Sequence, residues 1–149
     1  MTSRERLSRY AYAVTAWLFV AGILTQVYLI GLTYLGGRPT LQSHVGLGHG
    51  LAVAPLLMVV LAYTGRLPHP MKPCTWFALI VYVLLADVVI FLRGSAPIIA
   101  ALHPVLAVLL FGAVGFLALR ARQIVRGENK SDAVVQALAS ASPSHDLQR

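Results

Sequence analysis

Cysteine is nearly missing from this chain: Cys74 stands alone in 149 residues. That excludes an internal disulfide, a cysteine-based zinc site and covalently attached haem, each of which needs cysteines in pairs. Acids are almost as scarce. Five Asp and Glu against twelve Lys and Arg leave a formal charge of +7. Only Asp87 falls inside an apolar run, so chemistry by paired carboxylates is excluded. There is no phosphate-cradling glycine loop, no Gly-x-Ser-x-Gly elbow and no His-Glu-x-x-His, and hence no hydrolase or transferase signature. At most the chain is a redox protein. A cleavable leader is not expected either: the first apolar run is too long and lacks a clear small-residue cleavage site.

What the chain does have is long apolar runs. Hydrophobic residues make up 58% and charged residues 11%, against about 25% charged in soluble domains. The runs cover 10–34, 44–63, 75–92 and 97–119, each near the roughly 20 residues that cross a hydrocarbon core of about 30 Å. Lipid offers no partner to a backbone amide, and the runs do not alternate as barrel strands do, so helix is the expected state. Turn chemistry separates them: Gly36-Gly37-Arg38-Pro39, then Arg66-Leu67-Pro68-His69-Pro70, then Arg93-Gly94-Ser95-Ala96-Pro97. Short connections make neighbours antiparallel. The expected fold is therefore all-α, an up-down four-helix transmembrane bundle over 10–122. A basic arm covers 1–9, and 123–149 reads as a polar, largely disordered tail or a frayed helix.

The cations cluster at the ends of the runs, with Arg4, Arg6 and Arg9 before the first and Arg120, Arg122 and Arg126 after the last. Such clusters mark cytoplasmic flanks and not a nucleic-acid stripe. Both termini are expected in the cytoplasm, in a multi-pass protein of the plasma (inner) membrane, with the first and third loops outside. The lipid bilayer is the expected partner and nucleic acid is not.

Polar groups inside the runs are few and therefore informative, because each is costly without a partner. They include Thr25, Gln26, Thr33, His44, His49, Asp87 and His103. His49 and His103 each lie about six residues from the outer end of parallel helices, near 9 Å deep at 1.5 Å per residue. Two imidazoles at matched depth suit the axial ligands of a membrane haem b. Gly46 and Gly50 would spare a porphyrin face, Arg38 and Arg93 would meet propionates, and Asp87 would orient a ligand ring. His44 and His49 are five apart, about 140° around a helix, so only one can face His103. Plainer roles stand beside these. His44, next to Gln42 and Ser43, suits an interfacial hydrogen bond; the glycines suit close helix packing; Trp17, Trp76 and the end tyrosines suit an aromatic belt; Arg38 and Arg93 suit flanking charge.

Gln26, His44-x-x-x-Gly48 and Leu102-His103-Pro104-Val105 resemble a family of small bacterial four-helix membrane proteins of unknown function, over roughly residues 20–122. Asp87 stands where that family tends to carry Gln, and Val45 where it carries a base. This resemblance implies His44 as the partner of His103, whereas depth implies His49. The architecture is also similar to half of haem A synthase and to four-helix b-type cytochromes. Together these lead to a first expectation of haem b held between the second and fourth helices, passing electrons between a quinone and a membrane redox protein. A second is a non-catalytic subunit or stabilising partner of a larger membrane complex. A third is a small transporter or proton relay using Asp87 and His103.

Overall fold

The computed structural model describes residues 2–88, 91, 92 and 94–141, and those residues are helices and short turns. Helix α1 (Ser3–Tyr34) opens on a capping box. The Thr2 hydroxyl accepts from the Glu5 amide at 3.2 Å, and the Glu5 carboxylate accepts from the Thr2 amide at 3.1 Å. The basic arm is thus already helical, because two otherwise unpaired amides at the start are satisfied. At the far end Gly37 takes φ +62°, a left-handed turn that glycine adopts without strain. The chain then reverses into α2 (Leu41–Gly50) and α3 (Val53–Thr64).

These two pieces are one leg broken at Leu51–Ala52, and Pro55 is the cause. It has no amide hydrogen for the Leu51 carbonyl, which accepts instead from Ala54 at 3.0 Å, a tighter three-residue closure. The fourth leg repeats the device. Helix α5 (Pro97–Ala100) and α6 (His103–Ala141) are separated at Ala101–Leu102, where Pro104 leaves the Ala100 carbonyl without its usual donor. Between them runs the third leg, α4 (Met71–Val83) continuing into a π turn (Leu84–Val88).

Helices α3 and α6 both pack on α1 and on α4, so the four legs form a square with the second and fourth on a diagonal. Successive legs are antiparallel, giving the up-down bundle. Ser3–Tyr34, Leu41–Thr64 and Pro97–Glu128 are long and apolar enough to cross a membrane. The third leg is described as far as Val88, and residues 89–90 lie outside the described residues. Outward faces carry Leu18, Leu24, Val27, Ile80 and Leu109, all exposed. A girdle this apolar belongs against lipid and not water. The chain is an integral membrane protein.

Burial is uneven along the bundle axis. Tyr12, Ala16, Phe19 and Ile23 of α1 recur at three- and four-residue spacing and meet Met58, Ala62, Ala78, Leu110, Val114 and Leu117. Leu67, at 2% exposed, plugs the end that carries the N-terminus. There Arg9 donates to the Gly65 carbonyl at 2.7 Å and pairs with Glu128, while Arg66 pairs with Glu5 at 3.0 Å. This end is closed. The opposite end is not: α2 and α5 bury no residue.

Helix α6 also continues to Ala141, well past Gly127, where the sequence suggests a polar, disordered or frayed tail. Ala, Glu, Lys, Gln and Leu make up eight of residues 128–141, no proline interrupts them, and these are good helix formers whatever their polarity. The Glu128–Arg9 pair ties its root to α1.

Candidate functional site

The open end of the bundle holds most of the polar groups that the sequence singles out. Thr40, at the N-cap of α2, donates its hydroxyl to the Leu29 carbonyl of α1 at 2.7 Å. One turn on, Nδ1 of His44 lies 3.2 Å from the Gln26 carbonyl, also on α1. These two ties fix the rotation of α2. His44 turns toward the bundle interior, and His49, about 140° further round, is exposed and bonds only the Val45 carbonyl of its own helix at 3.0 Å.

Across the diagonal, His103 opens α6. The break that Pro104 imposes sets it at a helix start, where its Nδ1 reaches the Leu85 carbonyl of the π turn at 3.1 Å. The two half-buried rings face each other with centres 6.3 Å apart and planes at 59°. A carbonyl can only accept, so Nδ1 carries a proton on both rings, and in the neutral form of either ring Nε2 is the acceptor.

Two more side chains complete the cluster. Tyr82, 5% exposed, donates its hydroxyl to the Gly48 carbonyl, bridging α4 to α2. A Cβ on Gly48 would lie 3.0 Å from the Gln26 amide nitrogen, so glycine is what lets that amide lie against α2. The Gln26 Oε1 is buried and has no hydrogen-bond partner among the described residues. Two imidazole nitrogens and one amide oxygen therefore offer lone pairs at the open end. Such a set complements a cation, a Lewis acid or a ligand rich in O–H donors.

Over residues 26–91 the chain is similar to a family of unknown function, DUF6220. The DUF6220 match spans less than half of the chain. It begins at Gln26 and takes in His44, Gly48, Tyr82 and Leu85, and it stops before His103. No curated protein and no solved structure matches the chain.

The remaining candidates lie apart from the ring pair. Gly46 and Gly50 are exposed, and a Cβ on either would meet nothing within 4 Å. Asp87 sits on the π turn with its side chain exposed; the Leu85 carbonyl, not this carboxylate, holds the His103 ring. Arg38 is exposed in the first loop. Arg93 and His145 lie outside the described residues. No group of three or more His, Cys, Asp or Glu able to hold a metal ion occurs among the described residues, so any metal here would rest on a pair of imidazoles within a larger ligand. Thr40 and Tyr82 went unnoticed in the sequence. Thr40 could have been found, because it shares one face with His44 at a four-residue spacing. Tyr82 carries no signal beyond its polarity within an apolar run.

Proposed function

We propose that this chain is a membrane electron-transfer protein that holds one haem b across the second and fourth legs, with His44 and His103 as axial ligands. The observation that carries the reading is the facing pair of half-buried imidazoles, each with Nδ1 committed to a backbone carbonyl. With ring centres 6.3 Å apart, His44 and His103 are the residues that would hold such a group between the second and fourth legs.

The chain's own residues have separate tasks in this scheme. The Gln26 and Leu85 carbonyls hold the ring orientations and raise the basicity of the ligating nitrogens. The Gln26 amide lies beside them as an uncommitted acceptor. The open end, where α2 and α5 bury no residue, is the part of the bundle able to part around a flat macrocycle. When bound, such a group supplies a one-electron couple, whose potential the protein tunes through axial ligands, burial and nearby charge. A quinone or a membrane redox protein is the partner class this chemistry calls for. In this reading both termini face the cytoplasm, the basic closed end lies there and the ring pair lies toward the outside.

Purification in mild detergent from haem-replete cells, followed by a reduced-minus-oxidised spectrum, tests the reading. A sharp Soret and alpha band is expected, absent from His44→Ala and His103→Ala and retained in His49→Ala. A colourless wild-type chain would falsify the proposal. A second reading is favoured by the same ties: His44 pins α2 to α1 and His103 pins α6 to the π turn, as a purely structural subunit would need. That reading expects a colourless preparation and stoichiometric membrane partners on affinity purification.

A further inference from the structure

A groove of about 430 Å³ runs between α1 and α6 on the side of the bundle near its closed end. Val14, Trp17 and Leu18 line it from α1, and Arg122, Val125 and Arg126 from α6. Leu18 is 66% and Val14 57% exposed, so one stretch of the groove is an apolar trough open sideways to lipid. Arg122 and Arg126 are four residues apart and share a helix face. Two like charges in that relation repel by a few tenths of a kcal/mol, which an anion between them reverses.

The nearby acids do not supply that anion. Glu5 pairs with Arg66 at 3.0 Å and Glu128 with Arg9. Among the described residues no carboxylate reaches Arg122 or Arg126. We infer that this groove binds one anionic phospholipid, its phosphate against Arg122 and Arg126 and one acyl chain along Val14 and Leu18. Arginine forks match phosphate oxygens in pairs, and Trp17 places an amphipathic ring at the same level, as interfacial indoles do. The groove falls in the size range of small-ligand sites, about 300–1,000 Å³. This site is independent of the ring pair at the other end.

Native mass spectrometry of the full chain in neutral detergent, titrated with phosphatidylglycerol or phosphatidylcholine, tests it. One phosphatidylglycerol per chain is expected to survive detergent removal, in preference to phosphatidylcholine. The Arg122→Gln/Arg126→Gln variant should weaken its retention about twenty-five-fold, a factor of about five for each cation. The Arg4→Gln/Lys72→Gln variant removes the same charge elsewhere at this end and should leave retention nearly unchanged. Equal retention of the two lipids overturns the proposal, as does an equal loss in both variants, or a second copy of the chain in place of lipid. Unaltered circular dichroism and thermal midpoint establish that each variant is folded.

Discussion

Single hydrogen atoms decide the behaviour of the buried polar pair at the closed end. Thr75 donates its hydroxyl to the Met71 carbonyl at 2.8 Å and lies 2.6 Å from the Tyr12 hydroxyl. A threonine has one such hydrogen, so Tyr12 must be the donor between them. Tyr12 is 0% and Thr75 1% exposed, and no solvent replaces a lost partner. Tyr12→Phe leaves Thr75 still bonded and should cost about 1 kcal/mol, whereas Thr75→Val strands the Tyr12 hydroxyl and should cost about 2–3 kcal/mol. Unfolding in detergent at increasing denaturant measures both. Equal costs would contradict the donor assignment. The same reasoning at Gly48 explains a pattern the sequence presents only as spacing. Gly48 is one turn from His44, its carbonyl is taken by Tyr82, and its bare Cα leaves the Gln26 amide its place.

At the scale of elements, two prolines set where the helices begin and bend. Pro104→Ala supplies the missing amide hydrogen to the Ala100 carbonyl and should join α5 to α6. Helicity would rise slightly, and the His103 ring would swing away from the Leu85 carbonyl it meets at 3.1 Å. In the proposed haem reading the expected outcome is a several-fold loss of haem per chain without loss of thermal stability. Full haem content in a helix made continuous would remove the break from the account. Much of this level was legible beforehand. Apolar runs and Gly-Pro breaks located the legs, and His44 and His103 were both candidates. Which of His44 and His49 faces His103 was not legible from depth. It follows from the rotation of α2, which Thr40 and His44 set through two carbonyls on another helix, a relation invisible to counting along one chain. The length of α6 escaped for another reason: polarity predicts exposure, and an exposed segment can still be helical when its residues favour helix.

For the molecule as a whole, the division into a closed and an open end should govern its dynamics. Most of the tertiary burial and the Arg9, Glu128, Glu5 and Arg66 ties sit toward the closed end, together with the Lys72 ammonium 5.3 Å above the Tyr63 ring. Local opening costs least where few apolar contacts are made. Hydrogen exchange in detergent should therefore be at least tenfold faster across 41–50 than across 53–64, although both belong to one leg. Uniform protection along that leg would contradict the division. The sequence shows the polar groups gathered toward one end of the runs, but not which stretches are buried. What separates them is which neighbours each stretch finds.

A bundle pinned by ion pairs at one end and by hydrogen bonds to carbonyls at the other keeps its firm and its yielding parts at opposite ends of its axis. The short helices of the yielding end can shift without disturbing the ion pairs. In the proposed haem reading, settling in lipid and taking up the group are then separate steps, since the residues that would hold it lie away from the ion pairs.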